Sequence, residues 1–317
     1  MDDRITPSRR TLLGSVGSGA LLGVAGCLGD SSDEHVVAAT ARDDPDEVAH
    51  DWDPLADWLT NHTGTETQID PVQDDGAAVS ALATGHASAA YLSGGPAWVG
   101  WQAHDLEVLA AEVDEAGDTH YVATAWVRAE DDLSTFADLE SRDSCHTGDL
   151  TGAGMLLPTA RLAEEGLVTF ETDDIQAVRG AVESYFGDPL VGGGYSGALQ
   201  CLSTGHGDVA FVRESTPEDH CGEDPEEWCL DLEEYEPLVA LADVPSHPFV
   251  AGADLEGADR EDFTAALLAL NDESGGQAIL DDVLDAAGLV ETDAEEHLGP
   301  YGELLEALPG IEDHFLE

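Results

Sequence analysis

Thr119-His120-Tyr121-Val122-Ala123-Thr124-Ala125-Trp126-Val127 is the stretch whose reading decides the fold. From Tyr121 to Val127 it is nearly unbroken apolar sequence, the pattern of a strand buried on both faces. Upstream, strand and helix patterns alternate: a short strand at Val36–Ala39, then a helix over Asp46–Asn61 with Trp52, Leu55, Trp58 and Leu59 on one face. A strand follows at Thr67–Asp70, a small-residue helix at Gly76–Thr84 and a strand at Ala87–Leu92. Such alternation predicts an α/β layer with a parallel sheet. Downstream come a helix near Phe136–Glu140, a loop at Cys145 and a helix opening near Gly152. Strands follow at Asp208–Val212, Pro237–Asp243 and His247–Ala251. The tail from Glu261 to Leu308 reads as largely helical, with Phe263, Leu267, Leu268 and Leu270 mostly on one face. Two strands, near Tyr121 and near His247, therefore cross between two bodies. The expected organisation is a discontinuous first domain, 35–118 with 249–317, wrapped around a second domain, 119–248. A ligand cleft is expected between them, hinged by the crossing strands.

The chain has 317 residues, 68 acidic and 10 basic, every basic one an arginine, for a formal charge of -58. That charge excludes nucleic acid as a partner, since a polyanion is repelled. With 42% hydrophobic residues the chain is too apolar to be disordered. The combination reads as a globular protein adapted to high salt, where screening is short-ranged. Ser8-Arg9-Arg10-Thr11-Leu12-Leu13 is a twin-arginine pattern; the apolar Leu12–Leu22 run behind it is too short to span a membrane. Val24-Ala25-Gly26-Cys27 has the form of a lipobox. Residues 1–27 are thus expected to be a twin-arginine lipoprotein signal and 28–34 an acidic tether. The mature protein is expected outside the cytoplasm, held to the membrane through lipidated Cys27. Cys145, Cys201, Cys221 and Cys229 remain, enough for two disulfides in three possible pairings. Cys221 and Cys229 lie close together in an acidic loop and pair most simply, which leaves Cys145 with Cys201. A zinc site lacks the Cys-x-x-Cys spacing.

Tyr121, Tyr195 and His247 offer phenolate oxygen and imidazole nitrogen, donors suited to a hard cation. A free tyrosine ionises near pH 10 (about 10), so holding phenolate at neutral pH calls for a highly charged ion. Each tyrosine alone reads as an ordinary strand or loop aromatic; the set of three points to small-ion capture. Cys145-His146-Thr147-Gly148 precedes a helix start, where backbone N–H groups and the macrodipole favour an anion.

Thr119-His120-Tyr121-Val122-Ala123, Ser144-Cys145-His146-Thr147-Gly148, Gly194-Tyr195-Ser196-Gly197-Ala198-Leu199-Gln200-Cys201-Leu202, Gly207-Asp208-Val209-Ala210-Phe211-Val212 and Val244-Pro245-Ser246-His247 together resemble one transferrin lobe, most strongly over 119–251. The resemblance implies an α/β, two-domain fold of the type II periplasmic-binding-protein superfamily, transferrin-lobe-like. That superfamily includes the phosphonate-binding receptors of ABC importers. It implies Fe(III) held by Tyr121, Tyr195 and His247, with a synergistic carbonate-like anion at Thr147 and Gly148. It also supports the Cys145–Cys201 pairing and places Arg213 where the family has a second-shell lysine. Two positions depart from the pattern. The family's aspartate falls at Ser93, in Leu92-Ser93-Gly94-Gly95, and the arginine of the anion site falls at Thr151. The lipoprotein signal suits a receptor feeding an ABC permease and ATPase. Ferric ion with a carbonate-like anion is the leading expectation. The alternative is a phosphonate or related oxyanion in the same fold, favoured by the missing aspartate and the His146-Thr147-Gly148 helix start.

An enzyme is not expected. Gly194-Tyr195-Ser196-Gly197-Ala198 ends in alanine and lacks a clear preceding strand, unlike a nucleophile elbow. Gly192-Gly193-Gly194 lacks the Lys-Ser/Thr of a phosphate loop. His120 points to the strand face opposite Tyr121. The acidic Cys221–Glu227 segment has no EF-hand spacing and reads as solvated surface.

Overall fold

The computed structural model describes residues 34–40, 52–223 and 225–316. The twin-arginine stretch, Cys27, nearly all of the tether and the first part of the Asp46–Asn61 helix lie outside the described residues. Eleven strands are present among them: β1 (Glu34–Thr40), β2 (Glu66–Val72), β3 (Ala89–Tyr91), β4 (Glu107–Val113), β5 (His120–Arg128), β6 (Ser144–His146), β7 (Pro189–Val191), β8 (Val209–Arg213), β9 (Tyr235–Pro245), β10 (Pro248–Ala251) and β11 (Gly288–Glu291). They form two sheets, one ordered β11-β4-β10-β3-β1-β2 and the other β7-β6-β8-β5-β9. Neither sheet is purely parallel. β1 runs parallel to β2 and β3, and β6 to β7 and β8, as strand–helix alternation dictates. β10 is antiparallel to β3 and β4, and β5 to β8 and β9, because these strands enter their sheets from the other body rather than through a helical crossover.

Local chemistry explains the helices that flank the first sheet. Asp53–Thr63 starts with proline in its first turn and ends at Gly64 in the left-handed region (φ 77°). It buries Leu55, Ala56 and Leu59, and Trp58 donates its indole N–H to Ala266 O (2.8 Å). Asp75–Ala83 is capped by the Asp74 carboxylate, which accepts from Ala77 N–H (2.8 Å). Gly94–His104, with Gly-Gly-Pro in its first turn, and β4 behind it escape the sequence reading. Gly94-Gly95-Pro96 resembles loop punctuation, yet proline is tolerated in a first helical turn. The predicted helical tail is interrupted by β11, which pairs with β4. The Asn271 amide holds it by bonding both backbone groups of Leu289, at 2.8 Å each.

The chain crosses between the sheets twice, through residues 114–119 and through Ser246-His247. The crossings are bonded to each other: Ser246 N–H donates to Thr119 O (2.9 Å), and the Ser246 hydroxyl donates to Glu112 O (2.6 Å). Glu112 N–H in turn donates to His247 O (3.2 Å). The Ala294–Leu305 helix packs against the Gly94–His104 helix, β9 and the Leu157–Glu164 helix. One buried cluster that includes Trp98, Phe211, Leu298 and Tyr301 thus draws on both sheets. Disulfides join Cys145 to Cys201 and Cys221 to Cys229, the pairings anticipated from spacing and resemblance. Among the described residues, no helix is long and apolar enough to cross a membrane.

Candidate functional site

The crossings deliver the ligand-type residues. Tyr121 is the second residue of β5, and His247 immediately precedes β10. Tyr195 is the first residue of the Tyr195–Ser203 helix, launched from Gly193 (φ 77°) and Gly194 (φ 102°), a backbone that glycine adopts without strain. Tyr121, Tyr195, His247 and Ser93 all line one open cleft of about 1770 Å³. That volume exceeds the roughly 300–1,000 Å³ of a pocket closed on a small ligand, so the cleft stands open.

The phenol hydroxyls of Tyr121 and Tyr195 meet at 2.9 Å, with their rings edge to face. Arg213, at the end of β8, lays its guanidinium 4.2 Å from the Tyr121 ring centroid and 5.6 Å from that of Tyr195. Its Nε is buried without a hydrogen-bond partner. Burial, then the charge and hydrogen bond of Tyr195, push the Tyr121 phenol well above its ordinary range; Arg213 offsets this only in part. Tyr121 is therefore a neutral phenol and a proton donor near pH 7. Tyr301, behind the pair, is also raised, by burial and then by Tyr195.

His247 Nδ1 lies 3.0 Å from Glu112 Oε1, and the Tyr91 hydroxyl donates to the other oxygen of the same carboxylate. Burial pushes Glu112 up, but the hydrogen bonds and charge of His247 and the bond from Tyr91 outweigh it and hold the carboxyl below its usual range. Against a carboxylate, Nδ1 carries a proton and donates to Glu112 Oε1. Sequence reasoning missed Glu112 and Tyr91. The available signal was a lone acid near the end of an apolar run, Val108-Leu109-Ala110-Ala111-Glu112-Val113.

Ser93 caps the start of the Gly94–His104 helix by position, with no side-chain cap bond. Its N–H donates to Asp75 Oδ2 (3.1 Å), and the Thr40 hydroxyl donates to Asp75 Oδ1 (2.5 Å). Asp75 lines the cleft, so a carboxylate stands beside the position where the transferrin pattern has aspartate. Gly94 is required there: a Cβ would come within 2.5 Å of Pro245 Cγ.

The expected anion seat is placed differently. Thr147, Gly148 and Thr151 are absent from the cleft lining. Thr151 donates its hydroxyl to Gly148 O (3.1 Å), so Thr147 is the donor to Thr151 Oγ1 (2.8 Å), and both protons are used inside the loop. Thr147 O accepts from Gly194 N–H (2.7 Å), bracing the turn that launches Tyr195. His146 is fully buried, bonded to Gly154 O (2.7 Å) and to the Ser144 hydroxyl (2.8 Å), and burial lowers its pKa. It belongs to the core, not to a ligand loop. His120 turns to His297, its Nε2 3.0 Å from the His297 carbonyl, while Tyr121 faces Tyr195. β7 does precede the Tyr195 turn, contrary to the sequence reading. Among the described residues, no group of three or more His, Cys, Asp and Glu side chains is arranged to hold a metal.

The sequence profile of the family described as ABC transporter, phosphonate, periplasmic substrate-binding protein matches residues 37–297. The chain belongs to that family. As a member of the phosphonate-binding family it is a substrate-binding protein of the ABC-transporter class, not an enzyme. Its fold is the two-domain α/β fold of periplasmic binding proteins. A Xanthomonas citri protein solved with chloride superposes with TM-score 0.67 at 16% identity, covering 89% of this chain and 100% of that one. PhnD1 of Prochlorococcus marinus, solved with methylphosphonate, gives TM-score 0.58 at 16% identity, covering 87% and 97%. Transferrins are also similar: chicken ovotransferrin is 32% identical over 48% of this chain and 26% of its own length. Human melanotransferrin is 30% identical over 56% of this chain and 31% of its own length. The family member thus spans about a quarter to a third of the curated relatives it matches.

Proposed function

We propose that this protein is the receptor of an ABC importer and that its ligand is a phosphonate or a related oxyanion, bound at Tyr121, Tyr195 and Arg213. The observation that carries the reading is the convergence of two phenol hydroxyls, 2.9 Å apart, beside a guanidinium that lies over their rings. One phenol proton is spent on the other phenol oxygen, which leaves the second phenol O–H and the guanidinium N–H groups as donors, and a charged oxyanion accepts several such donors at once. The family match and the methylphosphonate complex of PhnD1 support the same class. Ser93, uncharged where the transferrin pattern has aspartate, supports it too. Thermal denaturation with methylphosphonate, phosphate and sulfate tests it. A ligand at about 100 times its Kd stabilises the folded state by about 2.7 kcal/mol. A midpoint unmoved by all three removes the proposal.

A second reading is ferric ion at Tyr121, Tyr195 and His247. It is favoured by the Tyr91–Glu112–His247 array, because a carboxylate on one ring nitrogen is how a ligating histidine is commonly oriented. The carbonate-like anion would then need donors other than Thr147 and Thr151, whose hydroxyl protons are engaged. Ferric salt with bicarbonate should develop a visible phenolate-to-iron band, and Tyr121→Phe should weaken it; a colourless titration excludes iron. Twin-arginine export and lipid attachment at Cys27 belong to the same proposal. Mass spectrometry of the membrane form should find a lipid adduct there, and Cys27→Ala should release the protein.

A further inference from the structure

We infer that Asp75 decides which oxyanion this cleft accepts. Its carboxylate takes a hydrogen bond from the O–H of the ligand, so a monoprotonated phosphonate or phosphate binds and a sulfonate or sulfate, which has no such proton, is refused. The inference rests on the oxyanion reading and names the subclass that the site takes.

The two sheets repeat one arrangement. β2-β1-β3-β10-β4 in the first has the strand order and relative directions of β7-β6-β8-β5-β9 in the second. The helices before β3 and β8, Asp75–Ala83 and Tyr195–Ser203, have 9 residues each and run into Thr84-Gly85-His86 and Thr204-Gly205-His206. Both turns are built alike. Each threonine hydroxyl donates to the carbonyl four residues back at 2.7 Å, and the glycines sit at φ 71° and 73°. Thr84 and Thr204 are 120 positions apart, and so are Asp75 and Tyr195, and Ser93 and Arg213. Asp75 and Ser93 thus stand on the first sheet where Tyr195 and Arg213 stand on the second, and all four line the cleft. The second sheet offers donors at these places; the first offers a carboxylate.

Packing ties Asp75 to the phenols. Ser93 N–H donates to it (3.1 Å), and the next residue, Gly94, lies so tightly on Pro245 that a Cβ would come within 2.5 Å of Pro245 Cγ. Pro245 pairs with His120, and Val244 with Tyr121, in the β5–β9 ladder. One hydrogen bond, one packing contact and one ladder pair therefore link the carboxylate to the strand that carries Tyr121. The group is also fixed: Thr40 donates to Oδ1 (2.5 Å) and Ser93 N–H to Oδ2, which leaves a further lone pair on each oxygen. Two neighbouring acids are engaged elsewhere, since Asp74 caps its helix through Ala77 N–H and Glu112 accepts from Tyr91 and His247. An ionised carboxylate only accepts, so it meets an oxyanion favourably when a ligand O–H lies between them. Without that proton, two acceptors of like charge face each other unbonded. Phosphonate and phosphate monoanions carry such an O–H; sulfonate and sulfate do not.

The test compares methylphosphonate with methanesulfonate, tetrahedral anions that share a methyl group. In mildly acidic buffer at high salt both are monoanions and differ by one proton. The protein and its Asp75→Asn and Asp75→Ser variants are titrated calorimetrically with each, with folding checked by circular dichroism. Wild type should bind methanesulfonate at least about 100-fold more weakly than methylphosphonate, the scale on which a site built for an O–H rejects an analogue that lacks it. Asn and Ser can both donate, so either variant should narrow the gap to less than about 10-fold, chiefly by gaining methanesulfonate. A purely structural role for Asp75 would change both affinities together and leave their ratio alone. Wild type that binds methanesulfonate as tightly as methylphosphonate overturns the selecting role and leaves the oxyanion reading standing. So does a folded Asp75→Asn or Asp75→Ser protein that keeps the wild-type ratio, and either variant suffices if the other does not fold. Wild type that binds neither anion overturns the oxyanion reading and the inference with it.

Discussion

Tyr121 and His247 are 126 positions apart in the chain, yet each lies at a point where the backbone passes from one sheet to the other. Both side chains line the same cleft, so single substitutions there should be informative. Removing the Tyr121 hydroxyl while keeping the ring, Tyr121→Phe, should weaken oxyanion binding by about 10- to 100-fold and leave the melting midpoint of the ligand-free protein nearly unchanged; calorimetric titration measures the first and a thermal scan the second. His297 gives a pH prediction. It is 1% exposed, bonded through Nε2 to Ser246 O (3.0 Å), and its Nδ1 is buried without a partner. Burial lowers its pKa from 6.5 to about 4. The unfolded chain therefore takes up a proton at a pH where the folded chain does not. Stability contributed by the neutral ring is full above about pH 6.5 and falls as pH drops toward about 4, by on the order of 3 kcal/mol for a shift of this size. Urea melts at successive pH values should show the slope, and His297→Gln, whose amide can still donate to Ser246 O, should flatten it. An unchanged slope in the variant would assign the effect to other groups.

At the scale of elements, the Ala294–Leu305 helix is the strut beneath both crossings. Gly302 lets it approach the Gly94–His104 helix so closely that a Cβ would lie 2.0 Å from Trp98 Nε1. Gly302→Ala should therefore destabilise the protein by about 1–3 kcal/mol, the usual cost of overpacking a core, seen as a lower urea midpoint. The disulfides differ in what they constrain. Cys145–Cys201 spans 56 positions and ties β6 to the helix that carries Tyr195, whereas Cys221–Cys229 spans 8. By loop-closure entropy the first stabilises by about 4 kcal/mol and the second by about 2.5 kcal/mol. Replacing each pair by alanine and comparing melting midpoints should rank them in that order. Much of this scale was open to sequence reading. β1, β8 and the Asp75–Ala83 helix follow from apolar runs and small-residue patterning. β11 was not, because Gly288-Leu289-Val290-Glu291 is too short to carry a period and is held in place by Asn271 from a neighbouring segment.

For the whole molecule, the charge of -58 dominates the response to salt. Screening lengthens from about 3 Å at 1 M to about 10 Å at 0.1 M, so self-repulsion should lower the melting midpoint as potassium chloride is withdrawn. Acids around the cleft, among them Asp74, Asp114, Asp118, Glu214 and Asp219, should also slow the entry of an oxyanion at low salt. Stopped-flow association with methylphosphonate should therefore quicken as ionic strength rises, the reverse of ordinary electrostatic steering. A rate that falls with added salt would mean that the local field of Arg213 outweighs the rim.

The sequence by itself determined the α/β character, the number of disulfides and the donor types at Tyr121, Tyr195 and His247, because side-chain period, cysteine count and atom type are local properties. Only the tertiary structure decided that Glu112 orients His247 across 135 positions. It also decided that Thr147 donates to Thr151 and Thr151 to Gly148 O, both within their own loop, and that Arg213 lies without an ion pair over Tyr121. Those facts depend on distances of a few ångströms between remote segments. A helix-start motif or a lone arginine reads the same whether the fold turns it toward a cleft or back on its own loop.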